Sequence, residues 1–143
     1  MDVPGLARSG EGSRMEIRIY YEDTDCGGVV YYANYLRYFE RARTEYLEKF
    51  GLSFRELMEM GVRFVVVHAE VDYMSPARYG DTLVIETSVV DVRRASVILH
   101  YEVLEKRTLT RVVTGQTTIV CVDSKGKVKP FGPEIRSKLR TAH

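Results

Sequence analysis

The chain has 143 residues, 45% of them hydrophobic and 29% charged, with a formal net charge of +1. That length suits one domain around one core, and the balance excludes a disordered or collagen-like chain. No apolar run approaches the roughly 20 residues of a spanning helix, which speaks against membrane insertion. A charge this near zero sets up no global field toward nucleic acid or an anionic surface, so any basic site is local.

The first fourteen residues are rich in glycine, serine and charge. They read as a loose tail or leader before a single domain over residues 15–143, with Met15 as a natural start. Glu16 to Tyr21 alternates as a short strand with Ile17, Ile19 and Tyr21 on one face. From Tyr31 to Phe50 the period changes: Tyr31, Tyr35, Phe39, Ala42, Tyr46 and Phe50 form one helical stripe, with Gly51 placed to cap the C-terminus. Ser53 to Met60 reads as a second, short helix, with Ser53 as N-cap and Glu56 as its capping-box partner, ended by Gly61.

Strands follow at Arg63–Met74, Thr82–Val92, Ser96–Glu105 and Arg111–Val122, all rich in Val, Ile, Thr and Tyr. In the first of them Val67, Ala69, Val71 and Tyr73 share one face, and His68, Glu70, Asp72 and Met74 the other, the pattern of a half-buried antiparallel sheet. His68 and His100 accordingly read as half-buried sheet residues. One sheet face needs a cover, and the Tyr31–Phe50 helix is the element long and apolar enough to supply it, which predicts an α+β fold. Strands this long leave long edges, and a second subunit is a common cover for one. Lys125, Lys127, Lys129, Arg136, Lys138 and Arg140 read as a solvated basic end.

The chemistry-bearing stretch is Tyr21-Glu22-Asp23-Thr24-Asp25-Cys26-Gly27-Gly28, which runs through Val29 to Tyr35 into the long helix. A helix start offers unpaired N–H groups and a positive dipole end that polarise a carbonyl. A carboxylate one turn upstream attacks that carbonyl or activates water. The same residue types also cap helices and make turns, and spacing alone leaves both roles open. Asp23-x-Asp25 opens like an EF-hand, but Gly27 and Asn34 stand where that pattern requires an oxygen ligand and a Glu. The glycine pair makes neither a Walker loop nor a dinucleotide fingerprint. Cys26 and Cys121 are far apart and outside a C-x-x-C pattern, which argues against a disulfide framework or zinc site and suits a reducing, cytoplasmic compartment. Cys26 has no His close in sequence and reads as a packed thiol rather than a nucleophile.

The run Tyr21 to Arg43 resembles the signature of the 4-hydroxybenzoyl-CoA thioesterase superfamily, closest to the branch associated with the bacterial Tol-Pal system. The resemblance continues through Val71-Asp72-Tyr73 and Ser75-Pro76-Ala77-Arg78 into the C-terminal strands. It implies a hotdog fold, in which one long central helix is wrapped by a curved antiparallel sheet. It also implies a homodimer or a homotetramer built as a dimer of dimers, with sites at the subunit interface, and hydrolysis of acyl-CoA thioesters without metal or other cofactor. In that signature the carboxylate before the glycine turn, here Asp25, is catalytic, and the helix-start N–H that polarises the thioester carbonyl is that of Tyr32. Gly28, Tyr31, Asn34 and Tyr35 would border the substrate. Arg93 and Arg94, with Ser96, form a local cluster at a predicted hairpin where such enzymes contact the phosphates of CoA, although a solvated turn fits them equally. The branch often carries His where Tyr32 stands. A tyrosine, with an ordinary pKa of about 10, is no base near neutral pH. The Asp-plus-backbone mechanism is what remains. Its rival from another class is a non-catalytic acyl-CoA-binding or scaffold protein that uses the same groove.

Overall fold

The computed structural model describes residues 13–143. Most of the predicted tail, residues 1–12, lies outside the described residues. Ser13 and Arg14 belong to the fold: Ser13 Oγ donates to Glu86 Oε1 at 2.6 Å and Arg14 Nε donates to Glu86 Oε2 at 3.0 Å.

Five strands form one antiparallel sheet: β1 (Arg14–Arg18), β2 (Arg63–Tyr73), β3 (Thr82–Val92), β4 (Ser96–Glu105) and β5 (Arg111–Val122). Their order across the sheet is β1-β3-β4-β5-β2, so β1 and β2 are the edges. β1 starts two residues before the expected Glu16 and stops at Arg18. Tyr21, placed by sequence on the buried face of that strand, is instead exposed in a 3₁₀ turn, Tyr21–Asp23. Register shifts at Val66/His68, Val89/Asp91 and Val103/Leu104 interrupt the ladders, and such bulges bend and twist a sheet.

Helix α1 (Asn34–Lys49) buries Tyr35, Tyr38, Phe39, Ala42, Tyr46 and Leu47. It begins three residues after the expected Tyr31. Its Phe39 ring stacks on Tyr101 of β4, with centroids 4.3 Å apart and planes 6° from parallel. That pair contributes roughly 0.5–1.5 kcal/mol beyond the area it buries. Gly115 on β5, directly opposite Tyr101, makes the approach possible. A Cβ there would lie 2.4 Å from the Phe39 ring. At the helix end, Gly51 takes φ +82° while its N–H bonds Glu48 O and the Leu52 N–H bonds Leu47 O, both at 3.0 Å. That is a Schellman cap, and glycine meets its left-handed φ without strain. Helix α2 (Phe54–Glu59) follows, with the Ser53 side chain accepting from the Glu56 N–H as expected.

A third helix, α3 (Pro133–Ala142), occupies what reads as a solvated basic end. Ile135 and Leu139 are buried, the Tyr46 hydroxyl donates to Ala142 O at 2.8 Å, and Lys138 Nζ donates to Gly51 O at 3.1 Å. Arg136, Lys138 and Arg140 thus accompany an apolar stripe that docks the segment, and Ile135 and Leu139 join the core.

β2 departs from the half-buried pattern. Along its whole length only Phe64 and Val71 are even partly buried, and Val65, Val66 and Val67 stand exposed on a free edge. His68 is likewise exposed, paired with Glu70 at 3.0 Å, whereas His100 is half-buried 3.7 Å from Glu102.

Candidate active site

The loop between β1 and α1 is held by its own backbone. Thr24 and Val30 pair across it, the Asp25 N–H donates to Val29 O at 2.8 Å, and the Gly28 N–H donates to Asp25 O at 3.0 Å. Gly28 sits at φ +81°, which explains a glycine there. The Gly27 N–H donates to Asp25 Oδ1 at 2.8 Å, so the carboxylate is oriented by the turn it starts. The loop is then fastened to the segment ahead of β3: Val29 pairs with Arg78, and the Val30 N–H donates to Ala77 O at 2.8 Å.

The two aspartates separate by role. Asp23 Oδ2 accepts the Tyr20 N–H at 2.8 Å, and its carbonyl accepts the Tyr31 N–H at 2.9 Å and the Asn34 side-chain amide at 3.0 Å. Those are capping duties. Asp25 instead lines a cleft of about 330 Å³ with Val29, Val30, Tyr32, Tyr35, Tyr73, Met74, Ser75 and Pro76. Tyr32 lines the same cleft, and its N–H donates to no backbone carbonyl among the described residues. The cleft thus brings Asp25 together with a residue two positions ahead of α1 whose N–H has no backbone acceptor, and a carboxylate with a free donor is what acyl-transfer hydrolysis requires. The remaining wall is aromatic and aliphatic, suited to an acyl group.

Of the other residues singled out by sequence, Tyr35 is buried in the cleft wall, and that burial pushes its phenol well above the ordinary range. Tyr31 stands beside the cleft, its ring 4.9 Å from that of Tyr32, and the nearby Tyr32 phenol raises its pKa. Asn34 serves the Asp23 carbonyl, and Gly28 shapes the turn. Cys26 is exposed on that turn and not packed; the buried thiol is Cys121, whose pKa burial pushes up. Among the described residues, no three His, Cys, Asp or Glu side chains gather so as to hold a metal ion. Tyr73, Met74 and Pro76 escaped the sequence reading as wall residues. Their signal was the Val71-Asp72-Tyr73…Ser75-Pro76-Ala77-Arg78 segment, where the resemblance continues and Ser75 to Arg78 reads as a weaker candidate for CoA contacts, not as a cleft wall.

Arg93, Arg94 and Ser96 do form the predicted hairpin, with the Arg93 N–H donating to Ser96 O at 2.8 Å. Arg93 Nε also pairs with Asp91 at 2.9 Å. One chain does not bring them to Asp25. The Asp25 loop is fastened just before the start of β3, whereas Arg93 follows its end, and eleven strand residues separate the two by roughly 35 Å.

Residues 20–139 match the family described as the Thioesterase-like superfamily. A relative from Haemophilus influenzae, the acyl-CoA thioesterase YbgC, is 39% identical over 129 residues, 88% of this chain and 93% of its own. The acyl-CoA thioester hydrolase YbgC of Escherichia coli O6:H1 is 41% identical over 117 residues, 82% of this chain and 86% of its own. Among solved structures, a DHNA-CoA thioesterase from Staphylococcus aureus superposes with a TM-score of 0.83 at 27% identity, covering 90% of each chain. The resemblance read from the Tyr21–Arg43 run is borne out: the chain belongs to the thioesterase-like superfamily.

Proposed function

We propose that the protein hydrolyses acyl-CoA thioesters with Asp25 as its catalytic carboxylate and the Tyr32 N–H as the donor that polarises the thioester carbonyl. The observation that supports this reading is the shared cleft: Asp25 and Tyr32, whose N–H has no backbone acceptor among the described residues, line one opening in a chain of the thioesterase-like superfamily. Two routes use the same groups. In one, the carboxylate attacks the carbonyl carbon, the CoA thiolate leaves, and water hydrolyses the resulting mixed anhydride. In the other, Asp25 takes a proton from water as that water attacks, and the leaving thiolate takes up the proton. Both release a free acid and CoA.

In this reading residues 15–143 form one hotdog domain, with α1 as the central helix wrapped by the sheet. The working unit is a dimer joined along β2. Its free edge and exposed valines support that assembly, since an unpaired apolar edge strand calls for a partner. A two-fold axis at β2 reverses strand direction across the seam. It carries the partner's β3–β4 hairpin to the end of the sheet where this chain's Asp25 lies, about three strand spacings, or roughly 15 Å, from the seam. Arg93, Arg94 and Ser96 then serve the CoA phosphates of the neighbouring subunit's site. The larger assembly is a homotetramer, and the compartment is the cytoplasm. Among the described residues no helix is long and apolar enough to cross a membrane.

The test is thiol release from a panel of short, long and aromatic acyl-CoAs by wild type and by Asp25→Asn. The variant is expected to lose turnover by on the order of 10²–10⁴-fold with its fold intact. Full activity in Asp25→Asn would remove Asp25 from the chemistry. Absence of wild-type turnover with retained acyl-CoA binding would make the protein a binding module.

A further inference from the structure

At the mouth of the cleft the chain from Tyr31 to Ala33 is fastened on both sides. Upstream, the Asp23 carbonyl takes the Tyr31 N–H at 2.9 Å. Downstream, the Tyr32 carbonyl accepts the Tyr73 hydroxyl at 2.9 Å. That carbonyl stands outside the helical ladder, because the Leu36 N–H donates instead to Ala33 O at 3.2 Å. A carbonyl outside the ladder is satisfied by a side chain or by water, and here a phenol supplies the bond. Tyr73 reaches it from the last position of β2, where pairing with Val113 holds its backbone. Its ring meets those of Tyr32 and Tyr35 edge-on, at 6.3 and 5.8 Å between centroids. Burial, with the neighbouring Tyr32 phenol, raises its pKa, so the hydroxyl keeps the proton it donates across the neutral range.

Between these two fastenings lies the Tyr32 N–H. We propose that Tyr73 is a positioning residue for thioester hydrolysis: by holding the Tyr32 carbonyl, its hydroxyl sets the torsion that aims the Tyr32 N–H into the Asp25 cleft. This deepens the thioesterase reading and rests on it. A donor stabilises developing negative charge best when it is aimed before the reaction begins, and misplacement by about an ångström costs up to 100-fold in rate. Losing the hydroxyl while keeping the ring therefore acts on the transition state more than on substrate binding.

The experiment compares wild type with Tyr73→Phe in three readouts: kcat and KM on the preferred acyl-CoA, thermal midpoint, and hydrogen exchange of the Tyr31–Asn34 amides. The expected result is a fall in kcat of on the order of tenfold, with KM within about twofold. Exchange should quicken at Tyr31 and Asn34, whose N–H groups donate to Asp23 O and Tyr31 O, while the middle of α1 stays protected. An unchanged kcat overturns the proposal, as does a loss confined to KM, or exchange that quickens across the whole of α1. If the wild type hydrolyses no acyl-CoA, the functional reading fails by itself, and unchanged exchange at Tyr31 and Asn34 would separately show that the hydroxyl restrains nothing.

Discussion

Gly115 illustrates how much one missing side chain decides. It lies on β5 between Tyr101 of β4 and Val71 of β2, under the Phe39 ring. With a methyl group there, either the ring or the whole helix must lift, because a packed core has little slack. Gly115→Ala should destabilise the protein by about 1–3 kcal/mol in chemical denaturation, the range for overpacking. A neutral effect would mean that α1 does not press on the sheet at this point. At the same scale the sequence singled out Asp25, because a carboxylate before a glycine turn and a helix is a local pattern, and the fold sets that residue in a cleft wall. The sequence assigned Tyr73 no more than a strand face and a place in the resemblance, because its contact with Tyr32 forms across a sequence separation of 41.

Among the elements, β3, β4 and β5 match their expected bounds, since β-branched runs between turn residues are a local signal. The helix α1 was legible from its stripe, apart from a start delayed to Asn34 by the bonds that tie Tyr31 and Asn34 to Asp23. The helix α3 was not legible, because its three Lys and Arg residues equal its three apolar positions in number and follow a run of lysines. The signal lay in spacing: Pro133 at the first turn, then Ile135, Leu139 and Ala142 at steps of four and three. Leu139 is fully buried. Leu139→Ala should therefore cost about 2–5 kcal/mol in a denaturant titration, whereas a solvated tail would show no change. The exposure of β2 was equally beyond reach, because the alternation that marks a buried face does not say whether the cover comes from the same chain.

For the molecule as a whole, alkali should be the direction of weakness. Tyr35, Tyr38, Tyr46 and Tyr101 all have phenols raised above their ordinary value, with burial as the largest cause in each. In the unfolded chain these groups lose their protons near pH 10. In the folded chain they hold them to higher pH, so between the two the unfolded state binds fewer protons and stability falls as pH rises. The stabilisation is fully present below about pH 10 and is lost progressively as pH climbs toward the folded-state values. Thermal midpoints measured from pH 8 to 11 should be level at first and then drop. Insensitivity over that range would mean these phenols ionise as freely in the fold as in water.

The separation of the arginine hairpin from Asp25 by the length of β3 carries a genetic meaning under the proposed assembly. Every working site draws on two gene products, one giving the acid and the other the phosphate clamp. Two alleles, one disabled at Asp25 and the other at Arg93 and Arg94, would each be inactive alone. Expressed together, they pair at random, about half of the dimers are mixed, and each mixed dimer regains one complete site. The cell would recover about a quarter of the normal sites from two defective copies, whereas a site contained within one chain would recover none.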